Sequence, residues 1–294
     1  MKKGFAILLV LLLFPLAASA ETVVTSFYPI WLMALNLTDG IEQLNVVNLS
    51  EPTTGCLHDY TLRNSDMVAL SEADALLING AGMESFLPVI TGAYPDLPIV
   101  DASEGIPFLT ESATVEIGES EEGETVNSHL WLDPQRAAGM AANLAEGLIR
   151  LFPSYEDRIT ANLRAYRDRL QSLDLMIRDR LDGVPKPKVI LFHEALPYFA
   201  EACGLSVIAV VNKEPDDDLS SAELVRVADL IRSEDSIPLV LKTAETDRAV
   251  SVLVSETGVP VCELDPVTSG PEQPPLDYYE TVMIRNLDLL LADR

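Results

Sequence analysis

The sequence predicts an α/β fold, with two parallel-sheet lobes joined by one long rigid helix. Short apolar runs of strand length alternate with amphipathic stretches along the whole chain. The alternation is interrupted once, near the middle, by a single helical pattern spanning 154–182. That alternation argues for mainly parallel sheets.

Residues 1–20, MKKGFAILLVLLLFPLAASA, read as a signal peptide. Lys2 and Lys3 form its positive start, a Leu/Val run follows, and Ala18-Ser19-Ala20 fits the small-residue cleavage pattern. The run is short for a membrane span, so a retained anchor helix is the weaker alternative. No cysteine precedes Cys56, so no lipid anchor is expected on the mature N-terminus. These features predict a periplasmic or otherwise extracytoplasmic protein.

In the first half, strands are predicted at Thr22–Ser26, Leu44–Asn48, Ala75–Ile78 and Ile99–Asp101, with helices at Tyr28–Leu37 and Ser65–Glu72. A further helix at 135–151 is opened by Asp133-Pro134, a capping residue followed by proline at the first helical position. Glu111–Asn127, ESATVEIGESEEGETVN, has little to bury and is expected to be a mobile loop. In 154–182, Ile159, Leu163, Tyr166, Leu170, Leu173 and Ile177 step by three or four among charged residues. That helix would reach roughly 43 Å, and Gly183, Pro185 and Pro187 stop it. The second half repeats the alternation. Its strands fall at Lys188–Phe192, Ser206–Val211, Leu239–Leu241 and Val259–Leu264, and its helices at Leu196–Ala202, Ser220–Ser233, Thr246–Glu256 and Leu276–Leu291. The expected divisions are a leader at 1–20, a first lobe at 21–152, a connecting helix at 153–184 and a second lobe at 185–294.

The formal charge of the 294 residues is −26, and it becomes −28 without the leader, which holds two lysines and no acid. Such a field repels nucleic acid and anionic lipid and attracts cations. The cysteine count is odd: Cys203 and Cys262 could pair, leaving Cys56 over.

Only three histidines occur, His58, His129 and His193. His193 directly ends the run VILF, and Asp265 directly ends VPVCEL. His58 and His129 each follow a predicted strand through a loop. Ligands of open α/β sheets sit beyond the carboxyl ends of strands, so all four residues can converge where the lobes face each other. A single strand-end histidine is more often a structural hydrogen-bonding residue; three of three at such places, divided between the halves, favours a site. Three neutral imidazoles and a carboxylate suit tetrahedral zinc, whereas calcium and magnesium prefer all-oxygen shells and manganese takes more carboxylate.

The stretches GCLHDYTLRNSDMVALSEADALLINGAGMESFL, SHLWLDPQ, FHEALPYFAEACGL, EPDDDLSSAELVRVADLI and SETGVPVCELDPV resemble, in that order, the zinc/manganese-type solute-binding proteins of ABC transporters. With the long helix they cover nearly all of 21–294. The resemblance implies one metal between two lobes, bound by residues matching His58, His129, His193 and Asp265. Histidine at the third place suits zinc-type members of that family and glutamate manganese-type ones. It further implies delivery of zinc, with manganese as the alternative cargo, to an ABC permease rather than catalysis; a monomer is expected. Three departures stand out. Leu57 replaces the usual proline, with Cys56 nearby as a competing thiolate. The loop before His129 is rich in glutamate rather than histidine. The acidic motif usual near 240 reads Lys-Thr-Ala-Glu. Trp131, Tyr60 and Tyr198 lie beside the ligands as shields or as core, and Asp133 caps a helix or orients a ligand.

Two other classes compete. A secreted zinc hydrolase would keep an open fourth position for water, but no HExxH pair is present and Glu194 is the only obvious base. An adhesive surface protein is supported by the leader alone.

Overall fold

The computed structural model describes residues 20–51, 57, 60–109, 115–117, 126–211, 219–244 and 247–292. Strands β1 (Glu21–Thr25), β2 (Leu44–Asn48), β3 (Ala75–Ile78) and β4 (Ile99–Asp101) form one sheet in the order β2-β1-β3-β4, with every pair parallel. Helices α1 (Tyr28–Thr38), α2 (Asn64–Ser71) and α3 (Leu87–Ala93) provide its crossovers. All four residues of β3 are buried, as expected for a parallel strand covered on both faces.

The second sheet is also wholly parallel, in the order β5-β7-β6-β8-β9. It comprises β5 (Val115–Ile117), β6 (Lys188–Phe192), β7 (Ser206–Val211), β8 (Leu239–Lys242) and β9 (Val261–Glu263). Its helices are α6 (Leu196–Ala202), α7 (Ser221–Ser233) and α8 (Asp247–Thr257). The VILF run shows why it reads as continuously apolar. Val189 and Leu191 enter the main core while Ile190 and Phe192 enter a second core on the opposite face, so period-two alternation still leaves every residue buried.

Between β5 and β6 in the chain come α4 (Pro134–Leu151) and α5 (Glu156–Leu181). Asp133 caps α4 by accepting the Gln135 amide at 2.8 Å, with Pro134 following it. Along α5, Ile159, Tyr166, Leu170, Leu173 and Ile177 are buried, and Gly183 at φ +67° ends the run. The helix packs against α4, α1 and the terminal helix α9 (Tyr278–Ala292), so it is part of the main core as well as the link between the lobes. The C-terminal segment also reaches the first half: Tyr28 donates to the Pro271 carbonyl at 3.0 Å, and Asn36 to that of Leu276 at 3.0 Å.

Two differences from the sequence reading stand out. The acidic segment 111–127, expected to be a loop, contributes β5 to the second sheet, with Val115 opposite Ala209 and Ile117 opposite Val211. Its three residues V-E-I carry too little apolar surface to announce a strand; pairing with β7 supplies the partner that the local pattern lacks. Helix α3 was not predicted, because Ile90 is its one buried residue and no stripe marks it. Cys203, which closes α6, and Cys262, in β9, are both buried. Among the described residues, no helix is long and apolar enough to cross a membrane.

Candidate metal centre

The chain reverses its direction of growth between β1 and β3 in the first sheet and, from β6 onward, between β6 and β8 in the second. Beyond such a reversal the connections leave on opposite faces and open a crevice. His193 stands at the carboxyl end of β6, at the second reversal, and is 6% exposed. Its Nδ1 accepts the Ala195 amide at 3.0 Å, and its carbonyl accepts the Leu196 amide as the chain turns into α6.

His129, 1% exposed, begins a single 3-10 turn, Leu130–Leu132, that leads into α4. This turn is fastened over the first reversal. Trp131 is fully buried, stands edge-on to Phe27 just after β1 at 5.2 Å, and its carbonyl accepts Tyr279 Oη at 2.6 Å. The two imidazoles meet edge to face with ring centroids 5.9 Å apart. Glu194 Oε1 lies 3.9 Å from His129 Nε2. Thus a histidine from each half comes to one place, with a carboxylate beside them.

Asp265 is drawn toward the same wall, because Trp131 Nε1 donates at 2.8 Å to the carbonyl of Pro266 and the Trp131 ring lies 5.1 Å from that of His129. Its carboxylate accepts the Val267 amide at 2.8 Å and the Arg285 guanidinium at 2.5 Å. Asn286 bonds both its backbone amide and its carbonyl. This turn is strained: Val267 has φ +61°, a costly conformation for a β-branched residue, and is held there by complete burial. His58 and Cys56 lie outside the described residues, as does Glu245. Leu57, standing where the family pattern has proline, is fully buried. Among the described residues, no group of three or more His, Cys, Asp or Glu side chains is arranged to hold a metal. Lys242, the departure from the acidic pattern, is spent on an ion pair with Glu263 at 2.5 Å across the β8–β9 register. Tyr198 is fully buried and Tyr60 partly so; Tyr60 donates to Asp66 at 2.8 Å.

Two supporting residues escaped the sequence reading. Asn127 faces His129, and nothing beyond its place two residues upstream announces it. Glu84 is 5% exposed and receives the Asn79 amide at 2.7 Å and the Gly80 amide at 3.1 Å, while Asn79 Nδ2 donates to the Ser128 carbonyl beside His129 at 2.9 Å. The available signal was the glycine turn NGAGME directly after a strand. Gly80 sits at φ +77°, and a Cβ there would stand 1.9 Å from Asp101 Oδ1.

Burial pushes the Glu84 carboxyl from an ordinary 4.5 up to about 7, against the pull of the amides that favour its ionised form. A raised pKa means that the folded state holds the proton more tightly than the unfolded one. The resulting stability is fully present below the unfolded value and is lost as pH rises through about 7. At 1.36 kcal/mol per pKa unit this is worth about 3 kcal/mol. Urea unfolding of metal-free protein between pH 4.5 and 8 should show a steeper loss in the wild type than in Glu84→Gln; parallel curves would exclude Glu84 as the titrating group.

A family model described as "Zinc-uptake complex component A periplasmic" matches residues 23–292. The chain belongs to this family. Among relatives of this zinc-uptake component, the manganese-binding lipoprotein MntA of Halalkalibacterium halodurans is 24% identical over 238 residues, covering 80% of this chain and 76% of that protein. The high-affinity zinc uptake system protein ZnuA of Yersinia pestis is 26% identical over 278 residues, covering 87% and 86%. Among solved structures, the SBP FpvC from Pseudomonas aeruginosa in complex with Mn2+ superposes with a TM-score of 0.82 at 24% identity, covering 93% of this chain and 98% of that one. That likeness supports the two-lobed fold. The family is periplasmic by its description and comprises transport components. The word lipoprotein in the name of MntA runs against the expected absence of a lipid anchor.

Proposed function

We propose that this zinc-uptake component captures one divalent transition metal outside the cytoplasm, zinc first and manganese as the alternative, and delivers it as a monomer to an ABC-type permease. The observation that carries the reading is the pair His129 and His193, buried at the reversal points of two parallel sheets with their rings 5.9 Å apart. The proposed donors are His58, His129, His193 and Asp265. Neutral imidazoles and one carboxylate match zinc's preference for nitrogen and oxygen at about 2.0–2.2 Å. The donors come from both lobes, 21–152 and 185–294, with 153–184 linking them, so binding joins the halves. No chemical step is required of the protein, and its task is desolvation, orientation and release. We further propose cleavage of the leader without lipid attachment, a point that the mass of the mature N-terminal peptide decides.

Metal analysis of untagged protein tests the reading. One zinc per chain, retained through gel filtration and without hydrolytic activity toward ester or peptide substrates, is the expected result. A chain that stays metal-free after zinc is offered overturns it, and zinc-dependent hydrolysis requiring Glu194 moves the protein to the hydrolase class.

A further inference from the structure

We propose that Asn127 is a positioning residue, which fixes the tautomer of His129 and ties it to the loop that carries His193; this rests on the reading of His129 as a ligand. Asn127 is 7% exposed. Its Oδ1 accepts the backbone amide of His129 at 3.0 Å and faces the Nδ1 of the same ring at 3.1 Å. Its Nδ2 donates to the carbonyl of Glu194, next to His193, at 2.6 Å. A backbone carbonyl only accepts and a backbone amide only donates, so the two partners together fix which end of the Asn127 amide is oxygen.

The consequence for the imidazole is direct. An oxygen facing Nδ1 requires Nδ1 to carry the proton in the neutral ring, which leaves the lone pair on Nε2. Nε2 is the nitrogen that lies 3.9 Å from the Glu194 carboxylate. His129 therefore reaches a cation as a formed donor, with no proton to relocate. Asn127 is itself held from both sides, because its carbonyl accepts Tyr198 Oη at 2.7 Å and the same hydroxyl accepts the Leu109 amide at 3.0 Å. One side chain thus couples the orientation of a first-half ligand to the position of the second-half loop.

Two full-length variants separate these roles. Asn127→Ala removes both bonds, whereas Asn127→Asp keeps an acceptor for Nδ1–H and loses the donor to Glu194. Long-range 1H–15N correlation spectra of the metal-free protein at pH 8 read the tautomer directly, and three histidines keep the spectrum assignable. Zinc affinity is read by competition with a chromogenic chelator. The wild type should show His129 as the Nδ1–H form. Asn127→Ala should lose that form and bind zinc about 10–100-fold more weakly, the usual effect of removing a ligand's outer partner. Asn127→Asp should keep the tautomer and stay within about fivefold of wild type, since the acceptor survives. An Nε2–H ring in the wild type, or unchanged tautomer and affinity in Asn127→Ala, overturns the inference; so does Asn127→Asp binding as weakly as Asn127→Ala. If Asn127→Ala does not fold, the wild-type spectrum and Asn127→Asp still decide. Should His129→Gln bind zinc like wild type, the ligand reading fails, and the tautomer spectrum, recorded without metal, still judges Asn127.

Discussion

Replacing His129 or His193 by alanine should weaken zinc binding by at least about a hundredfold, because even the outer hydrogen-bond partners of metal ligands typically cost 10–100-fold. Each substitution removes one nitrogen donor from the proposed four-donor shell. Glu194 lies nearest, at 3.9 Å from His129 Nε2, and would exchange a nitrogen for a carboxylate oxygen. That exchange favours manganese over zinc. The loss for zinc should therefore exceed the loss for manganese in His129→Ala. His58→Ala should match the other two histidine variants. Asp265→Ala should cost less, since water can fill a carboxylate position and Arg285 already holds one of its oxygens. Competition titration against a chelator of known affinity gives all four values; wild-type zinc affinity in His129→Ala and His193→Ala would refute the assignment.

Zinc should also raise the melting temperature substantially. A ligand that binds only the folded state stabilises it by about 4 kcal/mol at a free concentration 1,000 times its dissociation constant. With about 2–4 °C per kcal/mol for a chain of this size, the expected rise at pH 7.5 is roughly 8–16 °C. Imidazoles bind a cation only when neutral, so acid competes with the metal and the rise should shrink markedly by pH 5. Calcium and magnesium gain little from imidazole and should reproduce little of it. Calorimetry at the two pH values checks both points. An equal zinc shift at pH 5 and pH 7.5 would mean that carboxylates hold the metal, and the acidic segment at 111–127 would become the better location.

Most of the architecture was legible because parallel strands buried on both faces must be apolar at every position, as VILF and ALLI are, and such runs stand out from helical stripes. The long helix was legible for a related reason: one wet face imposes a three-to-four spacing, and five of its six predicted stripe residues are buried. Helix α3 buries one residue and left no periodicity to read. Strand β5 is three residues long and depends on β7 for its existence. A composition of glutamate and glycine describes its neighbours and says nothing of a partner some ninety residues further along.

By itself, the sequence determined the alternation of strand and helix, the helix start at Asp133-Pro134 and the placing of His193 and Asp265 at strand ends, because each follows from local periodicity or capping chemistry. Only the tertiary structure decided that the His129 and His193 rings lie 5.9 Å apart, that Trp131 spans from His129 to the Pro266 carbonyl, and that Asn127 and Glu84 brace the surrounding loops. It also decided that Arg285 holds Asp265. The physical reason is common to these cases. Periodicity records which face of an element is buried, whereas hydrogen bonds between loops that meet only after the sheets have formed leave no period in the chain.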